Sequence, residues 1–262
     1  MVLRHSFVLL LLPLSLIGCQ ENKPSVALTK QVSVTPSMPP LSSVPLRPRL
    51  FFVLERGNTN RKEIALTFDD GPHPEFTPML LDRLKHLKVH ATFFMVGEMV
   101  KEAPQLAKRI VEEGHEAGNH SFSHPNLKTV SSEEIAKEIE QGSEQIRKAC
   151  GIDPLFFRPP GGNYNEEVMQ VLIKAGMPLA LWTYNPKDFA RPPADQIERG
   201  ILQNAQNGMI VLLHSSIIQT YEILPDLVAN LRKQGYTFVT LTDMAQHSPE
   251  LADRIAHAKQ LN

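Results

Sequence analysis

Seven side chains able to do acid–base or metal chemistry stand at or just beyond the ends of apolar runs: Asp69, Asp70, His120, His124, Arg158, Asp188 and His214. Two imidazoles and one carboxylate suit a divalent first-row metal and leave open positions for water and substrate. Such a metal lowers the pKa of bound water and polarises a carbonyl. His120 and His124 are four residues apart, which places both rings on one face of a helical turn. Successive side chains diverge at a strand end, so one of Asp69 and Asp70 can serve a metal while the other stays free as a base. Each element has a plainer reading when taken alone. Asp-Asp-Gly-Pro is also turn chemistry, His214 after Met209 to Leu213 is also a satisfied core histidine, and Arg158 before Pro159-Pro160 is also a surface ion-pair partner. It is the joint arrival of these residues that points to a site.

A scaffold must bring these scattered positions together. Beyond residue 60, short β-rich runs alternate with amphipathic stretches. Strands are expected over 64–68, 91–96, 115–118, 155–158, 179–183, 209–213 and 237–241, and helices near 77–88, 99–113, 132–149, 165–175, 194–206 and 221–234. Ser131 and Glu134 have the spacing of a capping box, and Ile135, Ile139 and Ile146 follow at helical intervals. Strand–helix repetition predicts an α/β fold of parallel strands with crossover helices. No glycine-rich dinucleotide fingerprint follows the first strand, which favours a barrel over an open doubly wound sheet. About seven parallel strands make it a distorted, incomplete (β/α) barrel. Every candidate residue then follows the carboxyl end of a strand, the face on which barrels build active sites.

Together these residues resemble the polysaccharide deacetylase family, the NodB-homology or carbohydrate esterase family 4 group. The resemblance covers roughly residues 60–245. It rests on Thr67-Phe68-Asp69-Asp70-Gly71-Pro72, His120-Ser121-Phe122-Ser123-His124, Arg158-Pro159-Pro160-Gly161, Asp188-Phe189 and Leu212-Leu213-His214. The first two motifs are the most specific. The resemblance implies that Asp70, His120 and His124 hold Zn2+ or another divalent first-row metal such as Co2+. It implies Asp69 as general base oriented by Arg158, and His214 as general acid partnered by Asp188. A backbone N–H near Gly161 would receive the oxyanion, and Phe189 and Trp182 would wall the substrate. The sequence departs from the family pattern at Gly161 and Phe189, where an aromatic residue and Trp are common, and at Asn185 and Ser215, which are often Asp. The reaction implied is removal of N-acetyl groups from a cell-envelope glycan, with N-acetylglucosamine of peptidoglycan the first candidate. Chitin oligosaccharide, exopolysaccharide and O-acetyl xylan are the alternative substrates. A silent glycan-binding protein would have no need of Asp69. A non-haem iron oxygenase shares the ligand set but needs neither Asp69 nor Arg158 nor His214.

Other residues have plain readings. His73 reads as a loop histidine, Trp182 and Tyr184 as strand-end aromatics, and the charges over 101–116 and Glu133 to Lys148 as solvated helix faces. Cys150 closes a helical pattern and reads as a lone buried thiol.

The N-terminus has its own pattern. Arg4 precedes an apolar run from Phe7 to Gly18, far short of the roughly 20 residues needed to span a bilayer, and the segment reads as an export signal. Leu16-Ile17-Gly18-Cys19 resembles the lipobox of bacterial lipoproteins, which implies removal of residues 1–18, lipidation of Cys19 and a membrane-anchored envelope protein. Residues 19–59 read as the lipidated Cys with a Pro/Ser-rich tether, able to reach up to roughly 100 Å. The catalytic domain is expected over 60–246 and a tail over 247–262, with the run Leu50 to Leu54 left unplaced as a short docking strand. With 27 basic and 28 acidic residues, the formal charge of −1 gives no pull toward nucleic acid. A monomer is expected.

Overall fold

A computed structural model describes residues 51–259. The expected signal segment, Cys19 and most of the tether lie outside the described residues.

The strands are β1 (Val53–Leu54), β2 (Glu63–Gly71), β3 (Thr92–Met95), β4 (Glu116–Asn119), β5 (Leu179–Ala180), β6 (Met209–His214) and β7 (Thr237–Phe238). All their pairings are parallel. The central strand β2 has β6 along one edge. On the other edge β7 pairs at Glu63 and Ile64, and β3 pairs from Thr67 onward. β4 follows β3, and a single bridge at Phe157 links Asn119 to Leu179. The barrel closes where Tyr184, downstream of β5, bridges Val211 of β6. The expected strand over 155–158 is therefore one bridged residue, since Pro154, Pro159 and Pro160 flank it and lack the N–H groups a longer ladder needs. The run before residue 60 finds its place in β1, beside β5.

β2 shows how the barrel sorts its side chains. Ile64, Leu66 and Phe68 pack outward in the core shared with α1 (Phe76–Leu87) and α7 (Ile218–Lys233). Ala65 packs with Phe94, Ala180 and Ile210 in the second core. By the two-residue period of a strand, Thr67 and Asp69 continue the inward row of Ala65 toward the carboxyl end.

The expected helix over 99–113 divides into α2 (Gly97–Glu102) and α3 (Pro104–Glu112), because Pro104 starts a new first turn. The others are α4 (Ser132–Cys150), α5 (Glu166–Ala175) and α6 (Ala194–Gln203), followed after β7 by α8 (Leu241–Gln246) and α9 (Pro249–Lys259). Ser131 caps α4 through its hydroxyl, but the reciprocal capping box forms instead at Thr240 and Asp243 on α8. Helices α8 and α9 take up most of the segment expected as strand end and tail. Leu241, Met244 and Ile255 join Phe52 and Leu54 in the second core, so the folded body reaches beyond 60–246 at both ends. Thr92 and Glu116, at the amino ends of β3 and β4, accept from Leu241 and Thr242 and tie α8 to the barrel floor. Glu116 is thus a half-buried acceptor rather than part of a solvated face, and desolvation raises its pKa against the hydrogen bonds it receives. Cys150 is half-buried and forms no disulfide among the described residues, and burial pushes its thiol up to about 11. Among the described residues no helix is long and apolar enough to cross a membrane.

Candidate active site

Asp69 and Asp70 end β2, and the backbone changes hand between them. Asp70 has φ 63°, the left-handed region that residues other than glycine seldom adopt. Alternation along a regular strand would send the two carboxylates apart. Here the turn brings both toward one imidazole, with Asp69 Oδ2 3.7 Å and Asp70 Oδ1 3.4 Å from His120 Nε2. Asp70 Oδ1 also lies 3.2 Å from His124 Nε2. That oxygen is buried and makes a well-formed hydrogen bond with neither ring.

The two histidines meet by a different route from the expected helical turn. Residues 120–124 form an irregular loop after β4, with Ser121 at φ 68° and His124 at φ 61°. Ser121 Oγ accepts the His124 N–H at 3.0 Å, and Asn119 Oδ1 accepts the Ser121 N–H at 2.8 Å. His120 is 2% exposed, and its Nδ1 lies 2.7 Å from the Arg158 carbonyl. A carbonyl can only accept, so Nδ1 donates there, and Nε2 is the ring nitrogen turned toward Asp70 and His124.

Arg158 is fully buried inside the barrel. Its Nη1 donates to Asp69 Oδ1 at 2.7 Å and to Thr67 Oγ1 at 2.8 Å, and its Nη2 donates to the Leu181 carbonyl at 2.8 Å. The guanidinium lies 4.0 Å above the Phe94 ring. Burial lowers its pKa against the opposing charge of Asp69. The alternative of a surface ion pair is thus excluded, and Asp69 is fixed by one oxygen with the other turned toward His120.

Across from these groups, His214 ends β6. Its Nδ1 lies 2.7 Å from Asp188 Oδ1, and its backbone N–H donates to Asp188 Oδ2 at 2.8 Å. Thr220 Oγ1 also donates to Oδ2, at 2.7 Å, so Asp188 is fully buried with three donors. Burial alone would lower the His214 pKa. The Asp188 hydrogen bond and the negative charges of Asp188, Asp69 and Asp70 outweigh it, and the net direction is up.

Gly161 (φ 60°) and Gly162 (φ 70°) lie in a short turn after Arg158, whose hydrogen bonds run from Gly162 and Asn163 and leave the Gly161 N–H out. Trp182 is half-buried behind this turn, so close that a Cβ on Gly162 would come within 2.4 Å of its ring. Phe189 is 53% exposed, with its ring centre 5.5 Å from that of His214. Tyr184 packs against the first core, and Ser215 Oγ donates to the Asp69 carbonyl.

Asp70, His120 and His124 offer ligand atoms that all lie within 4.8 Å of one another. The chemistry of the donor set fits a cation. Asp70 Oδ1 is buried and has no hydrogen-bond partner among the described residues. Burial would raise the Asp70 pKa, yet His120 and His124 hold it far below the usual carboxylate range, while Asp70 raises that of His124. Asp70 is thus ionised, as a carboxylate ligand to a cation must be.

Sequence reasoning missed Glu138. The charges from Glu133 to Lys148 read as a solvated helix face, but Glu138 is 4% exposed and accepts from the loop that joins the two histidines. The available signal was its place beside Ile135 and Ile139, on the apolar stripe of α4.

Residues 56–180 match the family model described as polysaccharide deacetylase. A peptidoglycan-N-acetylglucosamine deacetylase of Bacillus cereus is 40% identical over 193 residues, covering 72% of this chain and 90% of the relative. The peptidoglycan-N-acetylmuramic acid deacetylase PdaA of Bacillus subtilis is 38% identical over 72% of this chain and 73% of its own length. The crystal structure of the Bc1960 peptidoglycan N-acetylglucosamine deacetylase, in complex with 4-naphthalen-1-yl-N-oxidanyl-benzamide, superposes with a TM-score of 0.73 at 37% identity, covering 75% of this chain and 94% of that one. On this likeness in sequence and barrel architecture, the chain belongs to the polysaccharide deacetylase family, whose deacetylases are metal-dependent hydrolases.

Proposed function

We propose that this protein is a zinc-dependent hydrolase that removes the acetyl group from N-acetylglucosamine units of peptidoglycan, acting in the bacterial envelope after export and lipidation at Cys19. The observation that carries the chemistry is the pairing of Arg158-bound Asp69 with the cluster of Asp70, His120 and His124. A protein that only bound metal or glycan would need no second carboxylate held inside the barrel. The peptidoglycan assignment is supported by the Bacillus relatives, and the anchored location by the lipobox-like Leu16-Ile17-Gly18-Cys19.

In this reading Asp70, His120 and His124 hold the metal. Bound there, a zinc ion would acidify water and polarise the acetyl carbonyl. Asp69 Oδ2, on the side away from Arg158, accepts a proton from the attacking water. The Gly161 N–H, unclaimed among the described residues, donates to the developing oxyanion. His214, with its Nδ1 proton held by Asp188, gives a proton from Nε2 to the departing amine. One water and one amide become acetate and a free amino sugar. Phe189 and Trp182 line the approach.

The test is acetate release by the full chain from peptidoglycan, chitin oligosaccharide and acetylated xylan, with and without chelator. Release from peptidoglycan that stops on chelation and returns with zinc is expected. Turnover indifferent to the chelator would overturn the reading, and turnover confined to xylan or chitin would redirect the substrate. A preference for N-acetylmuramic acid units is the second reading, and it rests on the likeness to PdaA.

A further inference from the structure

The loop from His120 to His124 belongs to no strand or helix, and two of its residues sit in left-handed backbone. Such geometry persists in residues other than glycine only where the surroundings impose it. α4 supplies much of that imposition. Glu138 Oε2 accepts the consecutive N–H groups of Phe122 and Ser123, at 2.9 and 2.8 Å, and Oε1 accepts the Ser123 hydroxyl at 2.7 Å. The loop is also pressed between two close approaches. A Cβ on Gly97 would come within 2.7 Å of the Phe122 ring, and one on Gly142 within 3.0 Å of the Ser121 carbonyl.

We propose that Glu138 is the positioning residue of the metal-binding loop: its buried carboxylate holds Phe122 and Ser123 so that His124 reaches the point where it shares a cation with Asp70 and His120. This rests on the reading of those three residues as metal ligands. The effect falls on His124 in particular. His120 is fixed separately, by β4 on one side and the Arg158 carbonyl on the other, whereas the His124 imidazole is exposed and its backbone depends on the loop. Two adjacent amides and a hydroxyl converge as donors, so a side chain presenting two acceptor oxygens fits them and an apolar one leaves them unsatisfied. Glutamine keeps an oxygen for the amides, and the Ser123 hydroxyl can turn to accept from its NH2.

The experiment measures zinc affinity of the full chain by competition with a chromophoric chelator, well below the melting temperature. Circular dichroism establishes that each variant is folded. Glu138→Ala is expected to raise the zinc dissociation constant about 10- to 100-fold, the usual effect of removing an outer support of a ligand. Its turnover at saturating zinc should return to within a few-fold of wild type. Glu138→Gln is expected to recover most of the affinity. A melting temperature lowered in Glu138→Ala with zinc affinity unchanged would overturn the proposal, as would Glu138→Gln binding as weakly as Glu138→Ala. If Glu138→Ala does not fold, Ser123→Ala decides: a few-fold weaker affinity supports the proposal and an unchanged one overturns it. A wild-type chain that binds no zinc would instead remove the metal reading on which the proposal stands.

Discussion

Replacing Asp188 with Asn tests the acid half of the site. The carboxylate accepts from His214 Nδ1 at 2.7 Å, from the His214 backbone N–H at 2.8 Å and from Thr220 at 2.7 Å. Asn has nearly the same volume but only one acceptor oxygen. The backbone N–H at Oδ2 cannot accept, so the amide oxygen goes there and its NH2 faces His214 Nδ1. That nitrogen must then be bare, which disfavours the imidazolium. A hydrogen bond to a charged partner contributes about 1.5–3 kcal/mol, and one pKa unit corresponds to about 1.4 kcal/mol. His214 should therefore titrate about 1–2 units lower in Asp188→Asn, with burial now acting against weaker opposition. A general acid must carry its proton, so the alkaline limb of kcat should move to lower pH by the same interval. Turnover at its optimum should fall by about 10²–10⁴. The linkage has a definite sign. The folded His214 pKa lies above the ordinary 6.5, so its contribution to stability is fully present below that pH and is lost as pH rises through the folded value. Melting curves should therefore separate wild type from Asp188→Asn most widely in acid. Acetate release across pH, with an NMR titration of the His214 ring, provides the assay. An unmoved alkaline limb with kcat within threefold of wild type would refute the assignment.

Asp69→Asn should keep zinc at wild-type stoichiometry by elemental analysis while turnover drops by about 10²–10⁴. His120→Ala should lose zinc on dialysis, and full occupancy in that variant would contradict the ligand assignment. Arg158→Met leaves Asp69 buried without its partner and should destabilise the fold by about 3–5 kcal/mol in denaturant melts. A stable Arg158→Met chain with normal turnover would show that the interior ion pair is dispensable.

The reach of sequence reasoning follows from what each element depends on. β2 and β6 were legible because they are continuous apolar runs buried on both faces, and their last residues locate Asp69, Asp70 and His214 on the mouth of a parallel barrel. Phe157 was not, because its role as a single bridge is decided by neighbours distant in sequence. The spacing of His120 and His124 suggested a helical turn, yet Asn119 and Glu138 hold an irregular loop that achieves the same convergence. Helices α8 and α9 were hidden because their apolar residues pack on the floor together with Phe52 and Leu54, a contact between opposite ends of the described chain. The interior position of Arg158 was not legible, since a charged residue reads as exposed until Thr67, Asp69 and the carbonyls of Ala180 and Leu181 are found around it.

The placement of β1 has one more consequence. Because it runs parallel to β5, the polypeptide enters the body at the pole opposite the catalytic mouth, and α9 packs at that same pole. The entering strand therefore lies clear of the front, and β1 leaves the path of a long polymer across the mouth unobstructed.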